Sequence, residues 1–569
     1  MLFDFDHVPF SRFGRALTLS QMRTPESGGL RAVYLRSVRG GDERPSLGRF
    51  CRLTVRDGQG AERAVTWTLT PSRLAGTIDG GGWLAFAIGE GERLHIEGGN
   101  CTLAFALEGS RYDYAVTLPD GRPCVVSARE NIKFIPYASK GDLAVTGDWQ
   151  TDHSENVVIS FSGEPFEGVI DGFLAAPPPA PTETFAMAEA DAAAAFGDWL
   201  DHCPPGPEDQ AEARRLAAYL LWANTVSPHG RLTRTAIYMS KNVMINIWAW
   251  DNAFSALGVA GIDPQLAFEQ FAAIFDHQDA SGLLPDYVND KDVAFSFTKP
   301  PVHGWALRLI MDAHPGFLTA ERRAYLADAI GRQVGYWLTH ARPDETVLPA
   351  YVHGNDSGWD NATFFAAGGP VETPDLATFL ILAAEQLATL SDTDADRARW
   401  NASADALYAL LIERLWNGKT FVARRPQGEV DTGGDSLIQF MPLLLGKRLD
   451  PAVAQTLLAR LDAHGFITRW GPATESPDSP LYEDDGYWRG PIWAPTTYLL
   501  WDGLRRQGAD ERAAELARRF SALANRSGMA ENFDALTGRG LRDRAFAWTS
   551  AVYLLLASTL VSPLPESRR

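Results

Sequence analysis

The 569-residue chain is poor in cysteine and in positive charge. Its four cysteines, Cys51, Cys101, Cys124 and Cys203, form no CxxC pair and no zinc-ligand spacing. This predicts isolated, reduced thiols rather than a disulfide framework or a zinc site. Lys and Arg number 52 against 71 Asp and Glu, which gives a net charge of −19. Because nucleic acids and anionic membranes are bound through clustered positive charge, neither is expected as a partner.

Several targeting and cofactor signals are also missing. The start of the chain, MLFDFDHVPFSRFGR, lacks the basic-then-apolar order of a signal peptide, so a cytoplasmic location is expected. The uncharged stretch from Ala545 to Pro563 is near the length of a membrane span, but its Trp, Ser and Thr content favours a buried helix. No GxGxxG, Walker or GxSxG motif is present, and the Asp392, Asp394, Asp396 run lacks the Gly and Glu of a calcium loop. No metal and no cofactor are therefore expected.

Length and composition indicate a multidomain globular protein. At roughly 100–200 residues per domain, the chain holds more than one folded unit. Apolar residues make up 45 % and charged residues 22 %, which are ordinary values. The aromatic content is unusual, with 17 Trp beside 29 Phe and 15 Tyr. Since tryptophan is a large apolar ring with one polar atom, much of it should form core or ligand-binding surface.

The spacing of apolar residues changes once along the chain. Over residues 1–176, short alternating runs are separated by Gly and Asp-Gly turns, which predicts an antiparallel β-sandwich. Four prolines within residues 177–187 predict a stiff linker. Over residues 188–569 the spacing is helical, and after a lead-in helix twelve segments form six consecutive hairpins. This predicts an all-α (α/α)6 barrel. The segments lie near residues 209–224, 250–260, 263–278, 301–313, 318–341, 373–390, 394–416, 434–445, 450–463, 490–507, 509–527 and 544–561.

Aromatic and carboxylate residues recur together in the helical region. Trp250-Asp251-Asn252 and Trp359-Asp360-Asn361 share one tripeptide. An indole suits the C–H face of a sugar, and a carboxylate accepts hydrogen bonds from its hydroxyls. A single copy would indicate a capped helix beside a core tryptophan. Two copies with similar neighbours favour carbohydrate binding.

Four blocks carry this chemistry in order along the chain. They are the Trp248–Asn252 segment with Gln278 and KPPVHGW at 299–305, GNDSGWDNATFF at 354–365, YWRGPIW at 487–493, and ENFD at 531–534 followed by Trp548. In this order the blocks resemble the bacterial branch of glycoside hydrolase family 63 and the neighbouring mannosylglycerate and glucosylglycerate hydrolases. The resemblance covers roughly residues 205–562. The first third matches only in being a sandwich placed before the barrel.

The resemblance implies hydrolysis of an α-glycosidic bond with inversion, by two carboxyl groups. It places the general acid at Asp360 and the general base at Glu531. The acid must hold a proton near neutral pH for the leaving oxygen, while the ionised base polarises water on the opposite face of the sugar. Room for that water sets the two carboxyl groups about 6.5–9.5 Å apart.

The other matching positions are candidate substrate-binding residues. They are Trp248, Trp250, Asp251, Gln278, Trp359, Tyr487, Trp488, Arg489, Gly490, Trp493 and Trp548. For Trp488 and Trp493 the alternative is packing at a helix start. For Arg489 it is an ion pair with Glu483 or Asp484, and for Gln278 an exposed polar role.

Three functions stay open at this point. The main expectation is an inverting, exo-acting α-glucosidase for a small α-glucoside or oligosaccharide, with a mannosylglycerate or glucosylglycerate hydrolase as the alternative. A glycoside phosphorylase would use phosphate in place of water, and Glu531 argues against it. A non-catalytic carbohydrate-binding protein would have lost the carboxyl pair. A small carbohydrate is the expected partner of a monomer or small homo-oligomer.

Overall fold

The structure, a computed structural model, describes residues 2–24, 29, 31–425, 428–430 and 433–561. Within these residues the first third forms one antiparallel sheet of thirteen strands. The strands are β1 (Phe10–Ser11), β2 (Leu17–Arg23), β3 (Arg31–Ser37), β4 (Arg49–Arg56), β5 (Val65–Leu69), β6 (Leu74–Ile78), β7 (Trp83–Ile88), β8 (Glu92–Gly99), β9 (Cys101–Leu107), β10 (Tyr114–Thr117), β11 (Pro123–Ser127), β12 (Ile132–Trp149) and β13 (Ser154–Phe173).

The longest strand, β13, organises this sheet. The main path runs β1-β2-β3-β4-β9-β13-β8-β7-β6-β5, and β10, β11 and β12 join it through β12 and β13. The first part of β13 pairs with β9, and its second part pairs with β8. Gly163, between the two parts at φ 140°, lies so close to Gly141 that side chains would not fit between them. Strand β13 therefore changes partner at a glycine contact.

Helices follow the sheet, as the change in spacing predicts. They are α1 (Phe185–His202), α2 (Ala211–Asn224), α3 (Asp251–Val259), α4 (Pro264–Phe275), α5 (His303–Ala313), α6 (Ala320–His340), α7 (Pro374–Leu390), α8 (Asp394–Leu415), α9 (Pro451–Ala463), α10 (Ala494–Arg506), α11 (Asp510–Ser527) and α12 (Ala547–Thr559). A longer 3₁₀ helix spans Leu437–Arg448, and short ones span Glu208–Gln210, Gly354–Ser357 and Thr363–Phe365. The order of a strand-rich part before a helical part is confirmed.

Start signals in the sequence explain several helix boundaries. Asp263 and Asp450 each accept hydrogen bonds from two backbone N–H groups of the first turn, and a proline follows at the first helical position. The predicted segment at 434–445 differs, because it is a 3₁₀ helix rather than an α-helix. Pro442 lacks an N–H group and Gly446 has φ 55°, and both oppose a continuous α-helix.

Six of these elements contact one another in cyclic order. α3 packs on α5, α5 on α7, α7 on the 3₁₀ helix Leu437–Arg448, that helix on α10, α10 on α12, and α12 on α3. α3, α7, α10 and α12 are almost wholly buried, whereas α6, α8 and α11 each have an exposed face. These more exposed helices pack against members of the cycle.

Short strands connect the loops at one end of the helices. They are β14 (Thr225–Val226), β15 (Ala236–Ile237), β16 (Ile247–Trp248), β17 (Tyr287–Val288), β18 (Val293–Ala294), β19 (Arg424–Arg425), β20 (Gly428–Glu429), β21 (Ile492–Trp493), β22 (Asn532–Phe533) and β23 (Gly540–Leu541). β16, β17 and β18 form one small sheet, and β21, β22 and β23 form another.

The large sheet docks on the segment after β15 through buried cations. The fully buried Arg36 donates hydrogen bonds to the backbone oxygens of Lys241 and Asn242, both at 2.7 Å. Lys241 in turn donates to Ser11 Oγ at 3.0 Å and to the Arg15 carbonyl at 2.6 Å. These contacts join the strand-rich and helical parts.

A second contact comes from the loop Gly40–Ser46, between β3 and β4. Asn246 donates to Asp42 Oδ1 at 2.5 Å, and Gly40 N donates to Asp290 Oδ1 at 2.5 Å. Tyr287 donates its hydroxyl to Glu43 Oε1 at 3.3 Å. The large sheet therefore reaches the small sheet that contains Trp248.

Other predictions concern the thiols and the uncharged carboxyl-terminal stretch. All four cysteines are free and buried. Among the described residues no helix combines the length and the apolar character needed to span a membrane. The predicted buried helix is α12, and residues 562 and 563 of that stretch lie outside the described part.

Candidate active site

The two small sheets bring the sequence blocks together. In one sheet Trp493 of β21 pairs with Asn532 of β22, so the third block lies beside the fourth. In the other, Trp248 of β16 pairs with Tyr287 of β17. The blocks are thereby grouped where α3, α10 and α12 begin.

Five of the predicted tryptophans form one cluster. Trp488 and Trp493 stack with ring centroids 3.9 Å apart at 6°. The other centroid distances are 5.9 Å for Trp250–Trp488, 6.2 Å for Trp250–Trp548, 5.5 Å for Trp359–Trp488 and 5.4 Å for Trp493–Trp548. All five rings are buried. Most of the surface of these five rings is therefore buried by packing on other residues, which was the alternative to sugar binding considered from the sequence.

Two indole N–H groups of this cluster, and two partly exposed aromatic rings near it, are available to a ligand. The indole N–H groups of Trp359 and Trp488 are buried without a hydrogen-bond partner. Buried donors are normally paired, so these two suit a ligand hydroxyl. Tyr487 is only half-buried, and its ring centroid lies 4.9 Å from that of Trp493. Trp248, also half-buried, lies outside the cluster and contacts Tyr287 at 6.0 Å.

Three carboxyl groups converge on Tyr487. Burial, together with the negative charges of Asp360, Glu531 and Asp251, raises the pKa of Tyr487 well above its usual value. Asp251 opens α3, Asp360 follows the turn Gly354–Ser357, and Glu531 precedes β22. The predicted acid, base and sugar-binding carboxylate are therefore all near enough for their charges to act on one phenol group.

Burial shifts all three carboxyl groups toward the protonated form. It raises the pKa of Asp360 to about 6, against the opposing effect of Lys299. It raises the pKa of Asp251 to about 8, with the charge of Asp360 adding to the shift. It raises the pKa of Glu531 to about 8, where Asp543 adds to the shift and Arg542 opposes it. Buried carboxyl groups with perturbed pKa values that affect one another are typical of catalytic sites.

Hydrogen bonds and one glycine fix the turn that contains Asp360. Gly358 has φ 71°, and a Cβ atom there would overlap the Trp250 indole. Asn361 donates to the Gly486 carbonyl at 3.1 Å and accepts from Trp488 N at 2.9 Å. The second block is therefore bonded to the third.

Gln278, Arg489 and Gly490 each contact other parts of the protein, while Gln278 Oε1 and Arg489 Nε are buried without a hydrogen-bond partner. The Gln278 amide donates to the carbonyls of Gly282 at 2.8 Å and Ala329 at 3.0 Å. Arg489 pairs with Glu483 at 3.0 Å, the alternative considered from the sequence. At Gly490, φ 148°, a Cβ atom would overlap the Glu483 carbonyl. Within the described residues, no hydrogen bond joins Gln278 to the three carboxyl groups.

Two functional candidates, Lys299 and Arg542, were not among the residues predicted from the sequence. Lys299 pairs with Asp286 at 2.9 Å and donates to the Asn355 carbonyl at 2.7 Å. Arg542 lies 4.8 Å from the Tyr487 ring centroid and donates to Asp485 at 2.5 Å. A lysine within the apolar KPPVHGW block of a lysine-poor chain was the available signal for Lys299.

Metal ligation has no support in the described ranges. No group of three or more His, Cys, Asp or Glu side chains there is placed to hold an ion. His303, in the KPPVHGW segment of the first block, is buried, and burial lowers its pKa to about 4. It contacts Gln333 and the ring of Phe275, so it is part of the core.

Carboxyl groups around a tryptophan cluster, in a helical region that follows an antiparallel sheet, define a glycoside hydrolase. The chain belongs to the family described as mannosylglycerate hydrolase MGH1-like glycoside hydrolases, whose family model matches residues 244–549.

Named relatives and a solved structure extend this comparison. The chain is 26 % identical over 395 residues to the mannosylglycerate hydrolase of Thermus thermophilus, covering 54 % of this chain and 93 % of that protein. It is 24 % identical over 454 residues to the glucosylglycerate hydrolase of Mycolicibacterium hassiacum, covering 62 % of this chain and 99 % of that protein. A bacterial glucoamylase solved with acarbose has a TM-score of 0.62 at 12 % identity, over 98 % of this chain and 95 % of that chain. The glucoamylase shares the fold with almost the whole chain.

Proposed function

We propose that the chain hydrolyses a small α-glycoside with inversion, with Asp360 as general acid and Glu531 as general base. The observation that carries this proposal is that strand pairing joins Trp493 to Asn532, next to Glu531, and hydrogen bonds join Asn361, next to Asp360, to Gly486 and Trp488. The charges of Asp360, Glu531 and Asp251 all act on Tyr487, which agrees with this grouping. Asp251 would bind ring hydroxyls, together with the unpaired indole N–H groups of Trp359 and Trp488. Glu531 supports water over phosphate as the second reactant, because a carboxylate there would repel phosphate.

The substrate class we propose is a glycoside of glycerate, in place of the plain α-glucoside expected from the sequence. Relatives named for mannosylglycerate and for glucosylglycerate support it. Such a leaving group has a carboxylate and needs a cation beyond the scissile bond. Arg542 suits this role, since it lies over Tyr487 and its charge lowers the pKa of Glu531. Both arginines are ion-paired, Arg489 with Glu483 and Arg542 with Asp485, so the effect on Glu531 is what favours Arg542.

The proposed scaffold is a β-sandwich over residues 1–176, a linker over 177–187 and an (α/α)6 barrel over 188–569. The cyclic contacts from α3 through α12 support the barrel. The change of partner along β13 supports a sheet that folds into two layers. A cytoplasmic location and a monomeric or small homo-oligomeric state stay predictions from the sequence.

The protonation states of Asp360 and Glu531 predict how kcat/KM depends on pH. With pKa values of about 6 for Asp360 and about 8 for Glu531, the pair holds one proton between these limits. The order is opposite to the assigned roles, so the productive form has the proton on the group that binds it less tightly. The two singly protonated forms carry the same number of protons, so their populations rise and fall together with pH. We therefore expect a bell-shaped kcat/KM with limbs near pH 6 and 8.

The test measures sugar release from mannosylglycerate, glucosylglycerate and a panel of α-linked disaccharides. Asp360→Asn and Glu531→Gln should each lose roughly 100- to 10,000-fold in kcat/KM. Asp328→Asn, which alters an exposed carboxylate on α6, serves as the control. NMR of the first product anomer should show inversion.

Separate experiments distinguish the two roles. Azide should restore turnover to Glu531→Ala by replacing the activated water, and should not restore Asp360→Ala. Asp360→Ala should instead retain activity on a glycosyl fluoride, whose leaving group needs little protonation. Near-full activity of either Asn or Gln variant would contradict the proposal, as would a product that retains the starting anomeric configuration.

A further inference from the structure

Lys299 is a buried cation in a pocket rich in carboxyl groups. Its side chain is 8 % exposed, and its ammonium group lies 2.9 Å from Asp286 Oδ1. It also donates to the Asn355 carbonyl at 2.7 Å. Burial alone would lower its pKa, but the charges of Asp360, Asp286 and Asp251 raise the pKa above the usual lysine value. Lys299 therefore remains charged.

One side of this lysine holds the turn that precedes Asp360. Asn355, its carbonyl partner, lies in the turn Gly354–Ser357. The neighbouring Thr298 donates its backbone N–H to Asp356 Oδ1 at 3.1 Å. Gly354 itself lies so close to the Asp360 carbonyl that a Cβ atom would overlap it. Two adjacent residues, Thr298 and Lys299, thus fix the turn that contains the proposed acid.

The other side connects to Asp251. The backbone oxygen of Asp286 accepts a hydrogen bond from Ala249 N at 3.0 Å, two residues before Asp251. The Lys299–Asp286 pair consequently bridges the segment that leads into α3 and the turn before Asp360. A displacement of the ammonium group would alter the relative position of the two carboxyl groups.

We propose that Lys299 is a positioning residue, which orients the general acid Asp360 by holding the turn Gly354–Ser357 against Asp286. The inference rests on the proposed role of Asp360. Lys299 acts through the turn and through its charge, without itself donating the proton. The transfer it serves is from the Asp360 carboxyl to the leaving oxygen as the glycosidic bond breaks.

The charged groups around this pair set the direction of the expected pH effect. Asp360 faces Lys299 and His353, which both lower its pKa, and Asp286, which raises it. Asp286 itself faces Lys299, Asp356 and Glu43. Removing Lys299 should raise the pKa of Asp360, and removing Asp286 should lower it. The acidic limb of kcat/KM should therefore move to higher pH in Lys299→Met and to lower pH in Asp286→Asn.

The experiment compares Lys299→Met, Lys299→Arg and Asp286→Asn with the parent protein. It uses the best glycoside of the panel and the fluoride of the same sugar. Lys299→Met should lose about 100-fold in kcat on the glycoside and about tenfold or less on the fluoride, because fluoride departs with little protonation. Lys299→Arg should recover most of the loss. Lys419→Met, at an exposed lysine, is the matched control.

The outcomes separate this inference from the proposed function. Equal losses on both substrates with an unmoved acidic limb would overturn the positioning role. Limbs that move the same way in Lys299→Met and Asp286→Asn would also overturn it. If circular dichroism shows that Lys299→Met folds poorly, the shift of the acidic limb in Asp286→Asn tests the proposal instead. A shift to lower pH supports it, and any other result contradicts it. Full activity of Asp360→Asn would instead contradict the proposed function.

Discussion

At the scale of single residues, the pocket holds carboxyl groups where burial disfavours their charge. The folded-state pKa of Glu531, about 8, lies above the usual glutamate value. The folded chain therefore binds this proton more tightly than the unfolded chain. The stabilisation is fully present below the usual pKa and is lost as pH rises through about 8. Residues that serve a reaction in this way are expected to cost stability.

Glu531→Gln should stabilise the protein in alkali although it abolishes turnover. The amide stays neutral, so the variant avoids burying a charge. At about pH 9 the free energy of unfolding should rise by about 1 kcal/mol or more, and at about pH 5 it should change little. Denaturant unfolding at the two pH values measures this. Glu515→Gln, an exposed glutamate whose hydrogen bonds to Arg519 and Arg518 lower its pKa, should show no alkaline gain.

The sequence was sufficient to propose Asp251, Asp360 and Glu531 as site residues, because each lies in a block with recognisable neighbours. It did not reveal Lys299 or Arg542 as site residues. Their roles depend on which carboxyl groups and rings the fold brings within reach, and a lone cation in a sequence carries no such information. The tryptophan blocks lie together in the fold, and their rings mainly pack on one another.

At the scale of elements, the turn before Asp360 depends on one glycine. Gly358→Ala would place a Cβ atom against the Trp250 indole and strain a left-handed backbone. We expect a loss of about 1–3 kcal/mol in stability and at least tenfold in kcat/KM, because the acid moves with the turn. Gly418→Ala, at φ 90° with open space around it, is the matched control. Equal activity losses in both variants would contradict this account.

Elements were the most predictable level of the fold. Eleven of the twelve expected segments are α-helices within a few residues of their expected ends, since capping residues and prolines act locally. The twelfth became a 3₁₀ helix at Pro442 and Gly446. Strand partners were not predictable. The change of β13 from β9 to β8 depends on residues distant in sequence.

At the scale of the whole molecule, the strand-rich third is joined to the helices through Arg36. Arg36→Met would leave the carbonyls of Leu47, Lys241 and Asn242 buried without their donor. We expect a loss of about 3–5 kcal/mol and faster proteolysis between the two parts, measured by unfolding and limited digestion. Arg52→Met, at a half-exposed arginine, should change stability by less than about 0.5 kcal/mol. Unchanged proteolysis in Arg36→Met would contradict a docking role.

The contact between Arg36 and the helical part can form only well after Arg36 itself has been translated. The carbonyl acceptor at Lys241 lies 205 residues after Arg36 in the chain. When the strands leave the ribosome, Arg36 can already donate to Leu47 and Ser20 within the sheet. Its remaining donors must be solvated by water until Lys241 and Asn242 emerge. The same segment receives the loop Gly40–Ser46 beside Trp248. A nascent chain stopped before this segment would leave these donors of Arg36 without their protein acceptors.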